Sequence, residues 1–266
     1  MPSESAGAQG SDILWADSSA WRNTMALWLS SCPISKPLGG PAWADKQFGG
    51  KVKSSAKKFE RPMVQGWLHT PTGTPHASMA LFHGAGGNCE APLMVAVAVA
   101  FCADGYLVFR GDLPFRQQRP KGSPSANSQR DRDGIRRAAE EVRAIAKDVP
   151  FCLAGHSYGG RQCTMLAAED PAVADVLLLF SYPLHPPGNE AKQRTEHFPS
   201  LRNPALFIHG TRDPFGTIEE LEAALKLIPA RKKLISMKGG GHGLRLGQDD
   251  LLAFSAEITQ LTGEKA

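Results

Sequence analysis

The chain has 266 residues, 42% of them hydrophobic and 21% charged. That is the composition of a folded globular protein with a sizeable core, not of a disordered or fibrous chain. Its formal net charge of +4 is too small and too diffuse for a nucleic-acid footprint, so no nucleic-acid partner is expected.

Residues 1–58 stand apart from the rest. They are rich in Ser and Gly and end in the basic run 51–58, yet they hold Trp15, Trp21, Trp28 and Trp43. Four large apolar rings argue against a wholly solvated tail. This extension is expected to fold back on the following domain, 59–266, either as a lid over its working edge or against its rear. Leu29-Ser30-Ser31-Cys32 resembles a lipoprotein cleavage box, but the apolar stretch 25–29 before it is too short for a signal core, and no secretory signal is read here.

From His69 onward apolar runs alternate with helical patterns. Strands are expected at 63–69, 77–83, 106–110, 151–156, 175–182, 205–209 and 234–237. The segment 91–103 is nearly continuous in apolar residues, with Pro92 in its first turn and Gly105 past its end. It reads as a buried helix and is too short to span a bilayer, which needs about 18 residues or more. A helix is expected over 134–147, with Ile135, Ala138, Val142 and Ile145 on one face. Another runs from Gly160 to Asp170 and stops before Pro171. A third opens with Thr217 and Glu220 as a capping box and buries Ile218, Leu221, Leu225 and Ile228. Unbroken apolar strands such as 176–180 imply a sheet covered on both faces, as in parallel α/β architectures.

Two connections look irregular. Residues 116–132 are polar and basic and read as a long loop, whose Arg116, Arg119 and Lys121 would face solvent or an acidic substrate. Residues 183–204 leave no room for a large cap domain, and His185 and His197 within them are expected on the surface, with lining the cleft the alternative for His185. The five cysteines, at 32, 89, 102, 152 and 163, are odd in number and lack metal-ligand spacing. They favour buried thiols in a reducing, cytoplasmic compartment.

Chemistry concentrates in Gly155-His156-Ser157-Tyr158-Gly159, which joins the strand 151–156 to the helix that follows. Glycines on both sides let strand and helix approach, and the sharp turn pushes the serine hydroxyl into the open. A serine hydroxyl is a weak nucleophile near neutral pH and needs a base with a group to orient it. Asp213 stands just past the strand 205–209, and His242 lies in a glycine loop just past the strand 234–237. The order Ser157, Asp213, His242 is that of the α/β-hydrolase triad, and all three fall at the carboxyl ends of strands. His83-Gly84-Ala85-Gly86-Gly87-Asn88 follows another strand. Ala85 is expected to offer one backbone N–H to a developing oxyanion, and Tyr158 the other. A phosphate-cradling reading fails because no Gly-Lys-Ser/Thr follows, and a metal reading through His83, His209 and His242 has no ligand motif.

On these residues the chain resembles the α/β-hydrolase superfamily from about Met63 to its end. Ser157 with Gly160-Arg161 behind it, Ser181-Tyr182-Pro183-Leu184-His185-Pro186-Pro187-Gly188 and Gly210-Thr211-Arg212-Asp213-Pro214-Phe215-Gly216 resemble its dienelactone-hydrolase-like branch. That branch includes subunit 3 of the non-specific-lethal chromatin complex and the testis-expressed protein 30. The resemblance implies an eight-stranded, mostly parallel sheet flanked by helices, and no metal or organic cofactor. The elbow carries Ser157 where dienelactone hydrolases proper carry Cys. The expected activity is hydrolysis of a small carboxylic ester or thioester through an acyl-enzyme on Ser157, with His242 as base and Asp213 as orienting acid. The alternative is a hydrolase-like scaffold that binds a protein partner.

Overall fold

All seven expected strands form, and an eighth precedes them. The computed structural model describes residues 55–124 and 128–263, so the tryptophan-bearing extension and Cys32 lie outside the described residues. The strands are β1 (Ser55–Arg61), β2 (Val64–Thr70), β3 (Ala77–Phe82), β4 (Tyr106–Asp112), β5 (Phe151–His156), β6 (Val176–Phe180), β7 (Ala205–Gly210) and β8 (Lys232–Met237). The unexpected β1, Ser-Ala-Lys-Lys-Phe-Glu-Arg, is an edge strand and straddles position 58. Its charged residues hid it, since edge strands carry charge where central ones carry β-branched side chains.

The strands join one sheet in the order β1-β2-β4-β3-β5-β6-β7-β8. The β1–β2 and β2–β4 pairs are antiparallel, and every pair from β4 across to β8 is parallel. Helices α1 (Pro92–Ala103), α2 (Pro114–Gln118), α3 (Gln129–Ile145), α4 (Tyr158–Glu169), α5 (Ile218–Leu225) and α6 (Gln248–Gly263) complete the described elements together with two short 3-10 turns.

Alternation along the strands builds two cores. Ala80, Phe82, Phe151, Leu153, Leu177, Leu179 and Phe207 face α3, α4 and α5. Met79, Leu81, Cys152, Ala154, Leu178, Phe180, Leu206 and Ile208 point the other way, onto α1 and α6. Successive side chains project to opposite faces, so a strand apolar at every position requires helices on both sides. This is the α/β-hydrolase fold without a large cap: the connection from β6 to β7 holds only the 3-10 turn Phe198–Ser200. No described helix is long and apolar enough to cross a membrane.

Three expectations need correction. The region 116–132 is not one long loop, because Arg116 lies within α2 and α3 starts at Gln129. Ile145 ends α3 and is exposed, while Ile135, Ala138 and Val142 are buried. His185 is buried, and His197 is half-buried against Thr164, with Nε2 2.8 Å from the Thr164 hydroxyl. By contrast the capping box forms as expected, Thr217 accepting from the Glu220 amide and the Glu220 carboxylate from the Thr217 amide.

Candidate active site

Strand β5 ends at His156, and the chain turns at once into α4 through Ser157, whose φ of 52° and ψ of −118° are strained for any residue but glycine. The glycines around it permit the turn. A β-carbon on Gly155 would sit 2.5 Å from the Gly160 nitrogen, and one on Gly159 would sit 2.6 Å from the His83 carbonyl oxygen. Helix α4 therefore starts in direct backbone contact with both β5 and the end of β3.

Asp213 and His242 come together because their loops are laced by backbone bonds. Thr211 N–H donates to Met237 O (3.1 Å), Arg212 N–H to Gly240 O (2.8 Å), and Gly239 N–H to the Thr211 hydroxyl (2.9 Å). Gly210 runs so close to Gly240 that a β-carbon there would meet its carbonyl oxygen at 2.3 Å. Gly239 takes a φ of +73°, which returns the chain toward the sheet edge.

The three side chains form a chain of hydrogen bonds. His242 Nδ1 lies 2.8 and 3.0 Å from the two Asp213 carboxylate oxygens, and His242 Nε2 lies 2.8 Å from Ser157 Oγ. A carboxylate can only accept, so Nδ1 carries the proton and the Nε2 lone pair faces the serine hydroxyl. Ser157, Asp213 and His242 are each nearly buried, which strengthens these contacts.

The turn after β3 stands beside this relay. Gly87 N–H donates to Gly84 O (3.0 Å), closing a turn with Ala85 and Gly86 at its corners. A β-carbon on Gly84 would lie 3.2 Å from that of Ser157. Tyr158 N–H is the first amide of α4, where helices leave donors without intrahelical acceptors. Of the two expected oxyanion-binding residues, Tyr158 therefore lies within the elbow and Ala85 in the turn packed beside it.

Residues 75–263 match the family model described as "Alpha/beta hydrolase domain". The chain belongs to that family. Among solved structures it is similar to TT1662 from Thermus thermophilus, with 19% identity, a TM-score of 0.64, and coverage of 80% of this chain and 100% of that one. It is also similar to a dienelactone hydrolase from Anabaena variabilis, at 18% identity and a TM-score of 0.59, covering 79% of this chain and 96% of that one. A third is XC6422 from Xanthomonas campestris, described as a member of a/b serine hydrolase without lid. It shares 18% identity over 80% of this chain and 95% of that one, with a TM-score of 0.57. Identities this low carry the fold and nothing finer.

Within this alpha/beta hydrolase, His209, Phe215 and His156 shape the surroundings of Asp213 and His242. Burial alone would raise the Asp213 carboxyl, but the hydrogen bond and charge of His242, the charge of His209 and the Phe215 amide outweigh it and hold the group below the ordinary carboxylate value. Phe215 N–H donates to Asp213 Oδ1 at 2.9 Å. His156, inside the elbow pentapeptide, places Nε2 2.8 Å from the His242 carbonyl oxygen, and burial lowers its pKa to about 4. A neutral ring there donates through Nε2 and ties the His242 loop to the elbow. Phe215 was legible only as part of the Asp-Pro-Phe-Gly run, and His156 only as the variable residue of a serine motif.

His83 and His209 are both hydrogen-bonded to backbone. His83 Nδ1 donates to Gly84 O (2.7 Å) while its Nε2 accepts from Leu113 N–H (3.2 Å), and His209 Nε2 lies 2.9 Å from Gly216 O. Among the described residues no three His, Cys, Asp or Glu side chains converge to hold a metal. Arg116, expected to face solvent or a substrate, is buried and donates to the carbonyls of Ala85, Gly87, Arg119 and Gly122.

Proposed function

We propose that the chain is a serine hydrolase that cleaves a small carboxylic ester or thioester through an acyl-enzyme. The observation that carries this reading is the Asp213–His242–Ser157 chain, with 2.8 Å at each junction. His242 Nε2 takes the Ser157 proton as Oγ attacks the substrate carbonyl carbon. The carbonyl oxygen becomes an oxyanion facing the Ala85 and Tyr158 amides. Asp213 holds the imidazole tautomer and stabilises the imidazolium that forms. The tetrahedral adduct collapses, the bond to the alkoxy or thiolate group breaks, and His242 gives its proton to that leaving group. Water, deprotonated by the same nitrogen, then attacks the acyl carbon and releases the acid, returning the proton to Ser157.

Structural likeness to a protein described as a serine hydrolase and to a dienelactone hydrolase supports this reading. We assign the chain to the dienelactone-hydrolase-like branch named above, with Ser157 as the nucleophile. The four described cysteines are free and buried, which supports a reducing, cytoplasmic compartment. The expected hydrolase domain, 59–266, extends back to Ser55 because β1 pairs into its sheet, and the residues before it form an extension whose lid role is tested by deleting 1–45: unchanged substrate preference removes it.

A fluorophosphonate probe is expected to label the wild type and not Ser157→Ala. A series of p-nitrophenyl esters of increasing acyl length then reads the pocket. Absence of wild-type labelling, together with no turnover across the series, overturns the hydrolase reading in favour of a protein-binding scaffold.

A further inference from the structure

Helix α2 lies between the two arms of the expected oxyanion site. It has about one turn and a half, buries Pro114, Phe115 and Arg116, and holds none of Ser157, Asp213 and His242. Its residues nevertheless reach both arms. On one side, Leu113 N–H just before α2 donates to His83 Nε2, and His83 Nδ1 donates to Gly84 O. Arg116 Nη2 donates to Ala85 O and Arg116 Nε to Gly87 O, both at 2.8 Å.

A trans peptide sets its N–H opposite its C=O. Holding Gly84 O therefore fixes the direction of the Ala85 N–H, and holding Ala85 O fixes that of the Gly86 N–H. Arg116 of α2 grips Ala85 O and Gly87 O directly, while Gly84 O is held by the His83 ring, which Leu113 N–H in turn holds, and by Gly87 N–H across the turn.

On the other side, the buried Asp131 of α3 accepts from two donors. Its Oδ1 takes Phe115 N–H in α2 at 3.0 Å, and its Oδ2 takes the Tyr158 hydroxyl at 2.7 Å. Tyr158 is the residue whose amide forms the second arm. Ring contacts run parallel to this path: His83 meets Phe115 edge-on at 5.8 Å, Phe115 meets Tyr158 edge-on at 5.7 Å, and the Arg116 guanidinium covers Phe115 at 4.9 Å.

We propose that Asp131 and Arg116 are positioning residues that tie the Tyr158 arm and the 84–87 turn to a common strut, α2, and so set the spacing of the two oxyanion-binding amides. The catalytic consequence rests on the hydrolase reading; the strut itself does not. Substitution at either end should loosen the arm it holds, because a donor aimed about 1 Å wrong forfeits much of its transition-state stabilisation.

The experiment uses full-length Arg116→Met, Arg116→Lys, Asp131→Asn and Tyr158→Phe with two readouts. Amide hydrogen exchange over 83–88 is expected to quicken at least about tenfold in Arg116→Met and less in Arg116→Lys, and over 157–160 in Tyr158→Phe and Asp131→Asn. Turnover per fluorophosphonate-titrated serine is expected to fall about 10- to 100-fold with KM within threefold, and the affinity of an alkyl boronic acid, whose tetrahedral adduct occupies the oxyanion position, to fall in proportion. Unchanged exchange overturns the strut. Faster exchange, or a lower melting temperature, with unchanged turnover per titrated serine overturns the positioning role. If the wild type neither labels nor turns over, the hydrolase reading fails instead, and the exchange data alone decide the strut.

Discussion

Phe215 stacks on the imidazole of His242, with ring centroids 4.2 Å apart and planes 29° from parallel. The same residue donates its amide to Asp213 Oδ1, so one position both covers the imidazole and satisfies the carboxylate that holds it. Phe215→Ala keeps the amide and removes the ring. kcat/KM for the best p-nitrophenyl ester is expected to drop by about 10-fold or more, since an imidazole free to tilt leaves the serine unactivated part of the time. An unchanged kcat/KM would show that Asp213 alone suffices to hold the ring.

His156 offers a complementary test from the other side of His242. Its Nε2–H holds the His242 carbonyl, so His156→Ala frees the loop 241–243 while leaving all three relay side chains in place. Turnover is expected to fall about tenfold with little change in KM. Restoration by His156→Gln, whose amide can reach the same carbonyl, would tie the loss to that hydrogen bond; equal loss in both variants would point to ring packing instead.

Buried neutral histidines make stability pH-dependent. Burial, reinforced by Arg110, lowers His69 to about 4, and burial is likewise the main cause that lowers His83 to about 4. The ordinary value is about 6.5. Between pH 6.5 and 4 the unfolded chain binds protons that the folded chain refuses. The associated stability is complete above 6.5 and drains as pH falls, by about 1.4 kcal/mol per pH unit for each histidine. Asp213, held below the ordinary carboxylate value, contributes its share throughout that window and loses it only as pH falls below the ordinary carboxylate value. Urea unfolding at pH 7, 5.5 and 4.5 checks the sign; a flat unfolding free energy would mean that these histidines are protonated in place.

Two glycines close to the relay should differ sharply. Gly155→Ala would force a β-carbon within 2.5 Å of the Gly160 nitrogen, and is expected to destabilise by at least about 2 kcal/mol. Around Gly241 nothing lies within 4 Å of the added atom, so Gly241→Ala should leave the melting temperature close to the wild type. Equal melting temperatures for the two variants would contradict the contact between β5 and α4.

Much of this was readable along the chain. The seven expected strands follow from apolar runs bounded by turn residues, and the capping box at Thr217 follows from hydrogen bonds three residues apart. The edge strand β1 was hidden because charge, not apolar content, marks an edge. Arg116 and His185 were misread because a charged or polar residue in a loop looks solvated until its buried partners are known.

The order of Ser157, Asp213 and His242, each just past a strand, is written in the sequence, because strand ends and turn residues are local features. Their meeting is not local: 85 residues separate Ser157 from His242. The adjacency of β3, β5, β6, β7 and β8, and the backbone lacing of the Asp213 and His242 loops, bring these groups to one edge. The same holds for α2, whose carbonyl-gripping arginine and carboxylate-held amide acquire meaning only when packing has placed them between two turns distant in sequence. Hydrogen bonds across such spans depend on distance and direction, which sequence spacing does not encode.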